Sequence, residues 1–280
     1  MTLCPLCGSK VNRRFELGHT IVHQCEAPGC SLLFSDPQLD DASLAQAYEK
    51  HYYPPNGNGH KTSYENTPEE ILLQTFEKMN AEFGTLSGKS LLDYGCGIGR
   101  LCHVAGEYGI RATGIESDRH AREKAKRNGS VGIYANINEL REAQPGAQFD
   151  IVTLWDVIEH LRKPWVELEE LFNFLKPGGL LLLSTMNTGC LRARVERGRW
   201  VNMVNPTHFY YFTRQSLSAV LERAGFGQIT ELPVSIRYPQ HGPVQRMFNR
   251  VLKSCHLQGQ LIYTAQREPA ERTERLRTNV

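Results

Sequence analysis

The chain has 280 residues, of which 40% are hydrophobic and 22% charged, a globular balance that excludes a disordered chain. Its 32 Lys+Arg against 30 Asp+Glu leave a net charge of +2, which excludes the strong overall basic field of a dedicated nucleic-acid coat. The most apolar run, Leu180–Leu183, is far too short to span a bilayer, and the opening MTLCPLCGSK has no apolar leader. A cytoplasmic protein with no membrane partner is the expectation.

The first thirty residues hold two close cysteine pairs, Cys4/Cys7 in CPLC and Cys25/Cys30 in CEAPGC. Thiolates paired this closely point at a single ion from one turn, and two such turns complete a tetrahedral S4 set that suits zinc. The stretch between them, RRFELGHTIVHQC, is expected to form a short hairpin turning near Gly18 and His19. With all four ligand positions filled by protein, the site reads as structural. Residues 1–36 are therefore expected to be a zinc-ribbon-like module, one whose folding energy comes mostly from its metal.

Residues 37–88 read as a helical lid or linker. A short helix is expected through Leu39, Leu44, Ala47 and Tyr48, ended by Pro54 and Pro55. A second is expected over 67–83, capped by Thr67 with Pro68 in its first turn. Its face Ile71, Leu72, Thr75, Phe76 and Met79 should pack on the main domain. Tyr48, Tyr52, Tyr53 and Tyr64 flank a glycine-rich loop and could close over a ligand.

From Lys89 strands and helices alternate, the pattern of a doubly wound α/β sheet with its sites at the carboxyl ends of the strands. LLDYGCGIGR ends a strand, turns on Gly95, Gly97 and Gly99, and starts a helix. The next strand ends at Glu116, where a carboxylate can accept both hydroxyls of a ribose. A dinucleotide loop would need a third glycine where Arg100 stands, and Asp93 just before the loop would repel a pyrophosphate but suit an ammonium group.

At these residues the chain resembles the class I S-adenosylmethionine-dependent methyltransferases, over about residues 40 to 265. LLDYGCGIGR, GIESD, FDIVTLWDVIEHL and LKPGGLLLLSTMN each match one of that family's motifs. The resemblance implies a seven-stranded Rossmann-like sheet within residues 89–266, its last strand, GQLIYTAQ, antiparallel, and a frayed tail over 267–280. It implies S-adenosylmethionine as methyl donor and S-adenosylhomocysteine as product. Asp93, Gly95 and Gly97 would lie at the methionine end, with Cys96 between them offering a small side chain that packs. Glu116 and Ser117 would stand at the ribose, Asn136 and Ile137 at the adenine, and Trp155 near the sulfonium. CPLCGS, SLLFSDP, AYEKHYYP and WVNMVNPTHFYYF resemble bacterial relatives with a zinc-ribbon head that modify sugars or other small metabolites.

His208 is the candidate base, because a neutral imidazole can accept a hydroxyl proton. Asp156, Glu159 and His160 form a second cluster, able to share a divalent ion as quinone-pathway O-methyltransferases do in this stretch, or else to anchor the turn after the fourth strand. Arg192, Arg194, Arg197 and Arg199 could clamp an anionic acceptor or simply form a solvated face. Residues 241–258 read as an amphipathic helix. The resulting expectation is O-methylation of a small metabolite, a sugar or an anionic one, by a monomer or homodimer. The rivals are methylation of RNA or protein through the ribbon, an NAD-dependent oxidoreductase, and a non-catalytic cofactor-binding protein.

Overall fold

The computed structural model describes residues 2–17, 20–51, 69–127, 132–232, 234 and 258–267. The Gly18–His19 turn, Pro54, Pro55, Tyr52, Tyr53, Tyr64, Thr67, Pro68, most of the 241–258 segment and the 268–280 tail lie outside them.

Seven strands build the central sheet: β4 (Ser90–Tyr94), β5 (Arg111–Ile115), β6 (Ile133–Tyr134), β7 (Phe149–Trp155), β8 (Leu175–Met186), β10 (Phe226–Glu231) and β11 (Gln260–Arg267). Their order is β10-β11-β8-β7-β4-β5-β6. Neighbours from β8 through β6 run parallel, whereas β11 runs antiparallel to both β8 and β10, as expected for GQLIYTAQ. The central strands β4, β7 and β8 are buried on both faces, so they read as continuous apolar runs rather than alternating ones. β7 ends at Trp155, three residues sooner than the run FDIVTLWDVI suggests, because Asp156 takes a positive φ of 53° and turns the chain out of the sheet.

Helices cover both faces. The helix Glu69–Phe83 buries Ile71, Leu72, Thr75, Phe76 and Met79, the expected face, against the β4/β7 side of the core. The helix Arg214–Arg223 starts at a reciprocal cap in which Thr213 and Ser216 each bond the other's backbone.

A second sheet has four strands in the order β1 (Val11–Leu17), β2 (Thr20–Cys25), β3 (Leu33–Asp36) and β9 (Tyr210–Tyr211). The first three come from the cysteine-bearing segment, with the expected hairpin between β1 and β2. The fourth returns from the main domain, pairing Tyr211 with Leu33 and Tyr210 with Phe34. Leu6, Leu32 and Phe34 share one apolar core with Trp165, Leu217 and Leu221. The Arg223 guanidinium donates to the Leu6 carbonyl, and the Gln215 amide donates to the Pro28 carbonyl. The small sheet is thus fused to the large one rather than hung from it by a linker.

Candidate active site and metal centre

The glycine loop follows β4 at the carboxyl edge of the parallel strands. Gly95, Gly97 and Gly99 all have positive φ, at 80°, 53° and 81°. A Cβ on Gly95 would come within 2.5 Å of a Val157 methyl carbon, so position 95 tolerates no side chain on two independent grounds. Glu116, at the end of β5, lies over this loop. One carboxylate oxygen accepts from the Gly97 N–H at 2.9 Å and the other from the Asp118 N–H at 2.8 Å. Each oxygen keeps a lone pair for a further donor such as a ribose hydroxyl. Burial raises the Glu116 pKa, and these two N–H groups offset only part of that rise.

Asp93 is fully buried beneath the loop, accepting from the Thr153 hydroxyl at 2.7 Å and the Cys102 thiol at 3.7 Å. Burial pushes its pKa up to about 7. Any influence on a ligand's ammonium therefore acts electrostatically from below the loop. Cys96 is buried, its side chain packed against Gly114 and Cys102, so only its backbone is offered to a ligand. Ser117 is exposed beside Glu116, and its carbonyl accepts from Arg122. The Asn136 side chain is engaged at home, capping the helix Ile137–Ala143 by accepting from the Glu139 N–H at 3.0 Å, while Ile137 is buried. Trp155 is 1% exposed, and its indole N–H finds no acceptor among the described residues. Trp155 packs in the core cluster with Ile71, Phe76 and Leu91, and its orphaned donor at the end of a central strand leaves an acceptor to be supplied from elsewhere.

Past β7 the chain forms a short turn over Ile158–His160. The Glu159 carboxylate accepts from the Thr185 hydroxyl at 2.9 Å. Burial first, and the Asp156 charge second, push its pKa up to about 8. His160 donates its Nδ1 proton to the Thr207 carbonyl at 3.0 Å, and burial lowers its pKa to about 4. His208 donates Nδ1–H to the Asn202 carbonyl at 2.7 Å and accepts at Nε2 from the Asn205 amide at 3.0 Å. Burial and the neighbouring His160 hold it well below its usual value, so it is a neutral imidazole. The two rings meet edge to face at 4.7 Å.

Glu159, His160 and His208 bring a carboxylate oxygen and two ring nitrogens within 4.8 Å of one another, a set able to hold a divalent ion. His208 takes the place expected for Asp156, which turns instead to the Ser184 hydroxyl at 2.8 Å and the Gln260 amide at 3.2 Å. The residues missed from sequence are the orienting ones: Thr153, Thr185, Val157 and Asn205. Only Asn205 left a local signal, the N-P-T-H run in which its side chain accepts from the Thr207 N–H and hydroxyl.

The sulfurs of Cys4, Cys7, Cys25 and Cys30 all lie within 4.8 Å of one another. Cys4 and Cys30 are 3.8 Å apart and Cys7 and Cys25 3.4 Å. A zinc tetrahedron with bonds of about 2.3 Å has edges of about 3.8 Å, so the cluster fits that ion. The wide second pair closes through a turn in which the Cys30 and Ser31 N–H groups both donate to the Ala27 carbonyl. The Cys30 thiol's hydrogen bond pulls Cys4 down to about 5, while burial pushes Cys25 up to about 11. Four thiolates held this close together would need a cation among them. The arginines of 192–199 are exposed, with Arg192 paired to Glu196 at 2.6 Å, and they form a solvated face.

Residues 64–231 match the family described as Methyltransferase domain. Among curated proteins, the chain is 33% identical over 121 residues to the ubiquinone biosynthesis O-methyltransferase of a Bradyrhizobium species, covering 42% of this chain and 48% of that protein. The chain thus spans about half the length of that relative. The same-named protein of Bordetella pertussis is 34% identical over 178 residues, covering 59% of this chain and 71% of the relative. Among solved structures, phosphoethanolamine N-methyltransferase 2 of Haemonchus contortus, in complex with S-adenosyl-L-methionine, superposes with a TM-score of 0.55. That match covers 85% of this chain and 62% of the other at 15% identity, and it speaks for the fold alone.

Proposed function

Because the chain belongs to the S-adenosylmethionine-dependent enzymes of the Methyltransferase domain family, we propose that it transfers a methyl group from S-adenosylmethionine to an oxygen of a small-molecule acceptor. The observation that carries the reading is Glu116 fastened over a glycine loop whose position 95 admits no side chain, at the carboxyl edge of the parallel strands. The oxygen acceptor is supported by the O-methyltransferase relatives. The donor supplies a methyl on a sulfonium, displaced in line by the acceptor. Glu116 accepts from the ribose hydroxyls, Gly95 and Gly97 admit the ligand to the backbone, and Trp155 closes the floor. His208 Nε2 takes the acceptor's proton once the acceptor displaces the Asn205 amide that now donates to it, and the neutral imidazole and the tautomer fixed by the Asn202 carbonyl suit that role. Zinc at Cys4, Cys7, Cys25 and Cys30 is structural in this reading, and cysteines kept reduced as metal ligands suit a reducing, cytoplasmic setting. No described helix is long and apolar enough to cross a membrane.

The test is a calorimetric titration of zinc-loaded protein with S-adenosylhomocysteine, with NAD as comparison. Micromolar binding of the first and none of the second is expected, and the reverse result would overturn the reading. His208→Ala should keep that affinity and lower turnover by about 10²–10⁴-fold. Because the His208 pKa is depressed, the acid limb of kcat/KM should fall below about pH 6.5, the ordinary histidine value. Unchanged turnover in the variant would remove His208 from the base role.

The Glu159, His160 and His208 set favours a second reading, in which a divalent ion held there lowers the acceptor hydroxyl's pKa. Both histidines already donate Nδ1–H to main-chain carbonyls, the arrangement that fixes a ligating tautomer. A chelator that leaves the cysteine-bound metal in place should then abolish turnover. Full activity with the zinc content unchanged would exclude the ion.

A further inference from the structure

We infer that the cysteine module positions the candidate base, holding from behind the loop that orients His208, with Ser35 and Tyr211 as the positioning residues. The inference rests on the methyl-transfer reading with His208 as base, and it makes the module part of the catalytic apparatus. His160 and His208 take their orientation from one stretch of chain. The Asn202 carbonyl accepts the His208 Nδ1 proton at 2.7 Å, and the Thr207 carbonyl accepts that of His160 at 3.0 Å. Both acceptors are main-chain atoms of the 200–207 segment, which is built of turns with no helix or strand of its own. Such a segment keeps its shape only through what it packs against.

The module supplies that support. Trp200 and Met203 are buried in one apolar cluster with Val22 and Leu33 of the module and with Tyr211. Just upstream, a Cβ on Gly198 would meet the Phe15 ring at 3.3 Å, so the chain lies directly on β1. Polar contacts complete the clamp. The Ser35 hydroxyl reaches the His208 carbonyl at 3.4 Å and the Tyr211 hydroxyl at 3.1 Å. The Tyr211 hydroxyl reaches the carbonyls of His208 at 3.1 Å and Met203 at 3.2 Å. Ser35 and Tyr211 are both buried, and the two protons of their hydroxyls can serve both carbonyls at once. Met203 directly follows Asn202, so a bond to its carbonyl steadies the peptide beside the one that sets the His208 tautomer. Tyr211 is itself held by its pairing with Leu33, and the Ser35 N–H donates to the Phe209 carbonyl at 2.9 Å.

The consequence is chemical as well as mechanical. A neutral imidazole accepts a proton only at the ring nitrogen that lacks one. With Nδ1–H held by the Asn202 carbonyl, the lone pair is on Nε2, the atom the base role requires. Releasing the loop admits the other tautomer, which carries its proton where that lone pair must be. The main domain pins the chain on either side of the loop, through Cys190 and Ala193 in the apolar cluster and through the Phe209 N–H, which donates to the Glu159 carbonyl at 2.8 Å. The contacts made by Ser35 and Tyr211 fall on the loop itself. A buried carbonyl stripped of its donor shifts the balance between held and released loop by a factor of about 10 to 100.

The experiment is nitrogen-15 NMR of the histidine rings in the zinc-loaded full chain near neutral pH, with the His208 signals identified by their loss in His208→Gln. The parent should show a single tautomer with the proton on Nδ1. Combining Ser35→Ala with Tyr211→Phe removes both hydroxyls and leaves the apolar packing in place. That variant should show a mixture of tautomers, and its Nδ1 proton should exchange with solvent at least about tenfold faster. Leu6→Val is the control for general loosening, because Leu6 meets the main domain elsewhere, at Trp165 and Leu217. It should lower thermal stability and leave the His208 signals as they are. One Nδ1–H tautomer retained in the double variant, a parent with its proton on Nε2, or an equal change in Leu6→Val would overturn the inference. Full turnover in His208→Ala would instead strike the base role, and the tautomer measurement would still decide whether the module holds the ring.

Discussion

Cys25→Ser is expected to collapse the cysteine module and to loosen the main domain with it. Zinc held by four thiolates in a unit this small supplies folding energy on the order of 10 kcal/mol. Three of the four cysteines are buried, at 2%, 3% and 5% exposure for Cys4, Cys25 and Cys30, so the ion would lie inside the shared core. Losing one ligand leaves a buried polar site without its cation, and Leu6, Leu32 and Phe34 lose the framework that presents them to Trp165 and Leu217. Metal analysis should fall from about one zinc per chain to near none. Hydrogen exchange should accelerate at the Ser35 amide, which donates to the Phe209 carbonyl at 2.9 Å. Metal-free protein with unchanged exchange at that amide would refute a structural zinc.

Gly95→Ala should be the most damaging single methyl in the glycine loop. The φ of 80° costs a non-glycine residue about 1 kcal/mol. The new methyl would also meet Val157 at 2.5 Å, and overpacking of this kind costs about 1–3 kcal/mol more. A loss of about 2–4 kcal/mol in a denaturant titration is expected, together with at least about a tenfold loss of S-adenosylhomocysteine affinity. Adding Val157→Ala should recover the packing share but not the backbone share, and the double-mutant cycle separates the two. A variant as stable as the parent would show that the loop moves aside freely.

The large sheet was legible in sequence because its signals are local. LLDYG, GLLLLSTM and FDIVTLW are apolar runs of strand length, and their order with the intervening helices dictates a doubly wound sheet. Gly95, Gly97 and Glu116 were legible for the same reason, each lying at a strand end. His208 was not readable as a neighbour of Glu159 and His160, since the chain must return across the sheet to bring them together. Nor was β9 visible: two tyrosines carry no alternation, and their strand exists only because β3 offers an edge. At Asn136 a further local signal was present: asparagine three residues before Glu139 is a helix cap, and the capping bond engages its side-chain oxygen. The residues that orient others, Thr153 and Thr185, hide in strands where threonine is ordinary.

The pairing of Phe34 with Tyr210 spans 210 − 34 = 176 residues, and that span has a meaning during synthesis. At about 5–20 residues per second, roughly 9–35 s separate the emergence of the two strands from the ribosome. For that interval β3 is a bare edge, with the amides that will meet β9 open to any passing strand. The nascent protein must therefore shelter that edge before its own partner strand is made.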